Sequence, residues 1–411
     1  MTASVAVTGL GVVAPHGDAA PAMFAALLRG ESAVQPVFPE LPTPAAAARV
    51  GFDPARWFTK LQLAGVDRVS QLAVAAADLA LRDAGIDLAR HAAGAPGDFD
   101  RERIGVYAGC GMGGATALEA AYRSGGGRVP PLTIPAFMPN APAAHVAMRH
   151  GVLGPVLTYS VACASSAVAI AEAAAAIQRG DIDLAIAGGS EALIVPGVVL
   201  AWQAMQTLAS FEAGEAARAV KPFASARSGF ALGEGAAFVV LESTERARRR
   251  GARIHARLAG WGLSSDATHL TKPDAPGQAR ALRAALRRAD LQPRDVGYCN
   301  AHGTATRIGD VVERDALAQV WGDALDALHV SSTKALHGHL LGAAGALEAV
   351  ITVLALQRGE LPPNINGGEV DPACALNLVL DRGTVAPTLR AAISNSFAFG
   401  GTNAVLLFTR D

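Results

Sequence analysis

Cysteine is scarce in this chain, and the four present, Cys110, Cys163, Cys299 and Cys374, include no C-x-x-C pair. Neither a zinc cluster nor a thioredoxin-like motif is therefore indicated, and four are too few to frame a chain of 411 residues with disulfides. Charge is also scarce, at 17% of residues, and it balances to a net −1. No basic excess exists to neutralise phosphates, which excludes a nucleic-acid partner as the expectation. The opening "MTASVAVTGLGVV" lacks the positively charged segment of a signal peptide. The most apolar long window, residues 158–180, is interrupted by Ser165, Ser166 and Glu172, so it reads as a buried core helix rather than a membrane span. A cytoplasmic location is expected. The basic cluster "RARRRGAR" (246–253) reads as the solvated end of a helix.

What is abundant is apolar residues, at 51%, and glycine, 44 in all, the composition of a compact alanine-rich globular protein. The chain also repeats itself. "TGLGV" (8–12) resembles "AGWGL" (259–263), "LALRDAGI" (79–86) resembles "AALRRADL" (284–291), and "IGVYAGCG" (104–111) resembles "VGYCNAHG" (296–303). "AAAAIQRGDI" (173–182) resembles "TVLALQRGEL" (352–361), and "SGFALGEGAAFVVL" (228–241) resembles "NSFAFGGTNAVLLF" (395–408). The offsets, 251, 205, 192, 179 and 167, fall steadily, so the matches keep their order and the first half carries the insertions. Two similar α/β halves follow, residues 1–250 and 251–411. Each is expected to run strand, helix, strand, helix and then a glycine-rich hairpin, and pseudo-twofold symmetry would layer helices between sheets.

Within this frame "TYSVACASSAVAIAEAAAAIQRG" (158–180) puts Cys163 where a strand ends and a helix begins. Aligning the repeats on "QRG" sets Cys163 against Gly342, each at the start of a long alanine-rich helix. A helix N-terminus presents free N–H groups and a positive dipole end, which lower a thiol's pKa. The tight turn resembles the elbow that exposes a nucleophilic serine in other α/β enzymes. An inert buried cysteine is the structural alternative. The second half supplies partners: "NAHGTAT" (300–306) carries His302 at a strand end, and "SSTKALHGHLLGAAG" (331–345) carries Lys334, His337 and His339 before the helix that pairs with Cys163's. The pseudo-twofold axis would let Cys163, His302, Lys334 and His339 converge on one pocket between the halves.

These blocks resemble the condensing enzymes of the thiolase-like superfamily, and among them a β-ketoacyl-acyl-carrier-protein synthase of the FabF/KAS II type. The similarity runs nearly full length, and it is most specific in "VACASS", "NAHGTAT", "SSTKALHGHLLGAAG", "GFALGEGA" and "FGGTN". It implies a thiolase-like αβαβα fold and decarboxylative Claisen condensation of a Cys-bound acyl group with malonyl-carrier protein. Cys163 would be the nucleophile, His302 and His339 would stabilise the thioester enolate, and Lys334 would organise the site beside Glu348. The backbone N–H groups of Cys163 and Phe399 would form the oxyanion hole. By the same resemblance Thr304 and Thr306 would hold the phosphopantetheine arm, Phe399 and Gly400 would belong to the gating loop, and Met112 and Trp202 would line the acyl pocket. His337 falls outside the motif and would be a surface or supporting residue. No cofactor or metal is implied; the substrates ride on acyl-carrier protein. A homodimer, or a heterodimer with a related ketosynthase-like subunit, is expected.

Several positions depart from the family's pattern. Ala398 stands where glycine is usual, Arg307 where proline is common, and Trp202 replaces a smaller aromatic. Lys60, Arg68 and Arg128 could form the basic patch that docks a carrier protein, while Gln206 occupies an often basic position. Together these point to a specialised elongation enzyme, for a polyketide or polyene. Two rival readings exist. "VAVTGLGVVA" gives G-x-G-x-x-A with Glu31 some twenty residues on, the outline of a dinucleotide-dependent oxidoreductase, but that leaves Cys163, His302 and His339 unused. A non-catalytic subunit that shapes a partner's pocket is the other, and Cys163 argues against it.

Overall fold

The computed structural model describes residues 4–88 and 99–411. Its first half contains β1 (Val5–Val13), α1 (Arg68–Asp83), β2 (Ile104–Gly109), β3 (Val156–Tyr159), α2 (Ser165–Arg179), β4 (Leu184–Glu191) and β5 (Gly235–Ser243). The second contains β6 (Ala256–Ser265), α3 (Ala275–Ala289), β7 (Tyr298–Asn300), α4 (Gly309–Trp321), β8 (His329–Ser331), α5 (Ala344–Arg358), β9 (Ala391–Phe397) and β10 (Thr402–Thr409). Shorter helices and strands lie between these.

The ten strands form one sheet in the order β3-β2-β4-β5-β1-β6-β10-β9-β7-β8. Read outward from the centre, both flanks follow the same path: the first, fifth, fourth, second and third strand of each half. The halves join where β1 and β6 pair antiparallel through Val5–Leu258, Ala6–Arg257 and Val7–Ala256. The outer strands of each half run parallel and the inner ones antiparallel. Helices α2 and α5 touch each other and strands of both halves, so they form the middle layer, whereas α1 and α3 cover the outside. This is the αβαβα arrangement with pseudo-twofold symmetry.

Glycines explain the first repeat. A Cβ at Gly9 or Gly11 would collide with the carbonyl of Ala80 or Ala76 in α1, and one at Gly260 or Gly262 with Ala285 or Ala281 in α3. Both pairs thus let a helix press onto the strand backbone. Gly9 and Gly11 also lie inside the continuous strand β1, not in a strand-to-helix turn, which removes the dinucleotide-binding reading of "TGLGVVA". Among the described residues the glycine-rich hairpin exists in the second half only, as β9–β10. In the first half β4 and β5 are also antiparallel neighbours, but residues 192–234 intervene and build one wall of the site.

Among the described residues one helical stretch, Leu341–Arg358, is long and apolar enough to span a membrane, and it is the buried middle-layer helix with its preceding turn. The basic cluster is only partly solvated. Arg250 makes a bidentate bond to the buried Glu242 and reaches the Ala84 carbonyl, while Arg249 pairs with exposed Glu245. The strand end at Glu242 requires that interior cation, which the local sequence does not reveal.

Candidate active site

Cys163 lies in a 3-10 turn, Ala162–Ala164, directly before α2. Ala162 adopts φ +49, a conformation costly for a residue with a Cβ, and its counterpart before α5, Leu341, adopts φ +47. Each half therefore carries the same strained elbow, but only the first has a thiol at its tip. The turn is fastened locally: Ser165 Oγ donates to the Ala162 carbonyl (2.6 Å) and accepts from Val161 N–H (3.0 Å). Ser166 Oγ accepts from Ala346 N–H (2.9 Å), locking the starts of α2 and α5 together.

That lock brings the second half's residues to the sulfur. His339 Nε2 is 3.1 Å from Cys163 Sγ, and its Nδ1 accepts from Leu341 N–H (3.2 Å). The His302 and His339 rings meet edge to face with centroids 5.5 Å apart. Burial above all, then the charge of Lys334 and a neighbouring histidine, holds both imidazoles well below their ordinary pKa of 6.5, so both are neutral. A neutral His339 whose Nδ1 is an acceptor carries its proton on Nε2, facing the sulfur. Lys334 and Glu348 form an ion pair with no solvent exposure. Burial pushes the Glu348 carboxyl up to about 7, and Lys334 opposes that rise.

The thiol differs from the sequence expectation. Burial pushes Cys163 up to about 12, against the pull of Lys334; Glu348 adds to the rise, and the N–H groups of Phe399 and of Cys163 itself oppose it. The helix start and its donors are present, but enclosure outweighs them, because desolvating a thiolate costs more than one turn of N–H groups returns. The resting sulfur is a thiol.

Two carboxylates missed in the sequence brace the site. Glu191, closing the apolar run "LAIAGGSE", accepts from Gly111 N–H (2.8 Å) and from Gly342 N–H (3.0 Å) across the pseudo-axis. Glu313 of α4 accepts from His302 N–H (2.9 Å), Gly303 N–H (2.7 Å) and the Asn395 amide (3.0 Å). Gly111 and Gly303 are repeat partners, so each half straps the same loop with a buried acid. An acidic residue ending an apolar strand run was the available signal for Glu191; nothing local marks Glu313.

Cys163, His302 and His339 open into a cavity of about 560 Å3 that Thr304, Thr306 and Phe399 also line. Gly400 does not line it; its N–H donates to the Leu270 carbonyl (2.7 Å) and braces the Phe399 loop against residues 266–274. Met112 lies in a second, apolar cavity of about 540 Å3 with Leu118, Tyr122, Phe137 and Val198. Trp202 belongs to both cavities, stacked on Phe399 (centroids 6.1 Å) and edge-on to Phe230 (5.4 Å). His337 is not at the surface: it is 1% exposed, donates from Nδ1 to the Gly338 carbonyl and accepts at Nε2 from Thr333 Oγ1. Arg68 is unavailable for docking, since Glu234 holds it bidentately (2.7 and 2.9 Å) and the Val50 carbonyl takes a third bond.

The ligating atoms of Cys163, His302 and His339 lie within 4.8 Å of one another, a donor set of the type zinc accepts. The Lys334 charge that depresses both imidazoles also opposes an added dication, so the set fits hydrogen-bond donation better than metal binding.

Residues 2–247 match the family model described as beta-ketoacyl synthase, N-terminal domain, and residues 255–368 match its C-terminal domain. The chain belongs to the beta-ketoacyl synthase family. It is 40% identical to a nodulation protein E of Rhizobium sp. (strain N33), with 99% of each chain covered. It is 38% identical to a 3-oxoacyl-[acyl-carrier-protein] synthase 2 of Coxiella burnetii, covering 99% of this chain and 98% of that one. Among solved structures it resembles a beta-ketoacyl synthase from Burkholderia phymatum (36% identity) and the ishigamide ketosynthase/chain length factor (32%). It also resembles AntDE:AntF, a type II PKS acyl-carrier protein in complex with its ketosynthase (29%). Each superposes with a TM-score of 0.90 over the full length of both chains. The beta-ketoacyl synthases are condensing acyltransferases, and the Cys-His-Lys-His constellation lies in the matched domains.

Proposed function

We propose that this chain is a 3-oxoacyl-[acyl-carrier-protein] synthase in which Cys163 carries the growing acyl group. The observation that carries this reading is the 3.1 Å approach of a neutral, Nε2-protonated His339 to the Cys163 sulfur. Cys163 attacks the carbonyl of an acyl thioester; the new S–C bond forms, the carrier's S–C bond breaks, and the thiol proton leaves with the carrier thiol. The carbonyl oxygen sits against the N–H groups of Cys163 and Phe399, both of which point at this sulfur. Malonyl-carrier protein then loses CO2, and its thioester oxygen takes the enolate charge beside the donors of His302 and His339. The enolate carbon bonds to the acyl carbon, the Cys163 S–C bond breaks, and the sulfur takes up one proton. The balance closes with the two substrates and a proton, so no resident cofactor or metal is required. Burial first, and then the charge of Lys334 paired with Glu348, keeps both histidines neutral and therefore able to donate.

We assign the nucleophile to residues 1–250 and the donors to residues 251–411. The carrier protein brings its arm through the cavity that Thr304 and Thr306 line. Strand β3 ends the sheet with Val156 and Leu157 exposed, an open edge suited to a second copy or a related ketosynthase-like subunit. Four unpaired cysteines suit the reducing cytoplasm. Arg307, Trp202 and Gln206 favour a specialised elongation pathway, polyketide or polyene, over a housekeeping one.

Intact-mass spectrometry of the protein with acyl-carrier proteins, followed by malonyl-carrier protein, tests the reading. An adduct on Cys163 that discharges with CO2 release is the expected result. No adduct with any donor, together with a Cys163→Ala variant that behaves like the parent, would transfer the role to a non-catalytic subunit.

A further inference from the structure

Glu191 ends β4 with no solvent exposure, lines neither cavity, and takes part in no step of the reaction proposed above. The N–H groups that donate to its carboxylate come from two separate loops. On one side stand Gly111 (2.8 Å) and Met112 (3.4 Å), and the Met112 side chain lines the apolar cavity. On the other stands Gly342 (3.0 Å), in the turn Leu341–Ala343 that leads into α5. The Cys110 thiol also faces the carboxylate, at 3.9 Å. The two loops touch here: a Cβ on Gly342 would lie 2.4 Å from the Gly111 nitrogen and 2.5 Å from Glu191 Oε2.

The Gly342 bond acts on a strained neighbour. Leu341 holds φ +47, and such a conformation persists only where its surroundings impose it. Leu341 N–H is also the donor that His339 Nδ1 accepts (3.2 Å). A short path therefore runs from Glu191 through Gly342 and Leu341 to the imidazole. The backbone of His339 is fixed independently: its N–H donates to the Ala231 carbonyl (2.7 Å), and its carbonyl accepts from Gly233 N–H (2.8 Å). Loss of the Leu341 donor would thus leave the ring in place and free its proton to move from Nε2 to Nδ1. Nε2 would then turn a lone pair, not an N–H, toward the sulfur and the malonyl thioester oxygen.

We infer that Glu191 is a positioning residue that sets the tautomer of His339, by holding Leu341 in the backbone conformation that donates to Nδ1. The inference rests on the condensing reading above and deepens it. The N–H that His339 offers to developing charge depends on a buried carboxylate from the other half of the chain. The same carboxylate holds the loop of Met112, so one acid fixes the apolar cavity's wall and the donor together.

The test uses the full chain and two variants, Glu191→Gln and Gly111→Ala, with thermal melting to check folding. Burial pushes the Glu191 carboxyl up to about 7, so a neutral amide of the same shape suits the site. The amide offers one acceptor oxygen where the carboxylate offers two, and its NH2 then faces N–H groups. Gly111→Ala reaches the same end with the acid intact, because its Cβ would lie 2.6 Å from Glu191 Oε2 and push the carboxylate aside. Where one variant fails to fold, the other carries the test. Histidine labelled with 15N reports the tautomer, and the His339 signals are identified by their loss in His339→Ala. The parent should carry the proton on Nε2, and both variants should move it toward Nδ1. Malonyl decarboxylation should fall about tenfold or more in kcat, short of the loss for a deleted donor, while acyl transfer to Cys163 stays within about threefold. A parent protonated on Nδ1 overturns the inference, and so does a folded variant that keeps the proton on Nε2. Equal losses in both steps also overturn it, because a merely structural role slows both alike. Absence of transfer from every acyl donor overturns the condensing reading instead, and the tautomer still decides the role of Glu191.

Discussion

His339 presents an N–H, not a lone pair, to the sulfur of Cys163: Nε2 lies 3.1 Å from Sγ, while Nδ1 already accepts from Leu341 N–H. The imidazole is therefore arranged to stabilise negative charge on sulfur or on a substrate oxygen, and it is not arranged to remove the thiol proton. His339→Ala should lower malonyl decarboxylation and condensation about 10²–10³-fold, the usual loss for one preorganised donor. Acyl transfer onto Cys163 should fall less. CO2 release and adduct mass, measured on the same variant, separate the two steps; equal losses would make His339 the base for the thiol.

The Lys334–Glu348 pair has no solvent exposure, so removing one partner strands a buried charge. Lys334→Met alone should destabilise the protein by about 3–5 kcal/mol, and the double variant Lys334→Met/Glu348→Gln should recover most of this without recovering activity. Urea unfolding beside a condensation assay reads both.

The thiol gives a pH signature. With Cys163 raised to about 12 from an ordinary 9.0, its thiolate fraction grows about tenfold per pH unit through neutrality. Alkylation of Cys163 by iodoacetamide, mapped by peptide mass, should climb from pH 6 to 10 with no plateau. A plateau near pH 7 would mark a depressed thiol. The sign for stability follows from the same shift. The unfolded chain releases this proton near 9 and the folded one near 12, so the contribution is complete below pH 9 and is lost between 9 and 12.

Trp202 is the wall between the catalytic cavity and the apolar one that holds Met112. Trp202→Ala should join them and shift the preferred donor to longer chains. Two further methylenes housed there raise kcat/KM roughly tenfold, at about 0.8 kcal/mol each. A ladder of acyl donors of increasing length reads the shift, and an unchanged preference would show that the second cavity never receives the chain.

Much of this was legible in the sequence wherever a local pattern carried a local cause. The repeated glycines at 9, 11, 260 and 262 advertise close helix–strand contact, and the offset of 179 that aligns Cys163 with Gly342 also aligns the strained Ala162 with Leu341. The motif blocks named the residues that meet at the cavity. What stayed hidden depends on partners distant in sequence. Arg68 looked free because Glu234 lies 166 residues away, and His337 looked peripheral because its bonds to Thr333 and Gly338 say nothing of what covers it. The thiol's pKa was misjudged for the same reason: a helix start can be read in a sequence, whereas the depth of enclosure cannot.

The Phe399 N–H that points at Cys163 has a consequence for the chain's birth. A ribosome makes Cys163 before the three residues of the second half that meet it, and makes Phe399 after all of them. The chain first holds its nucleophile without His302, Lys334 and His339, and after these follow it still lacks the donor that Phe399 supplies. A nascent or prematurely ended chain therefore has no assembled site with which to capture an acyl group. Chemical competence arrives together with the final hairpin.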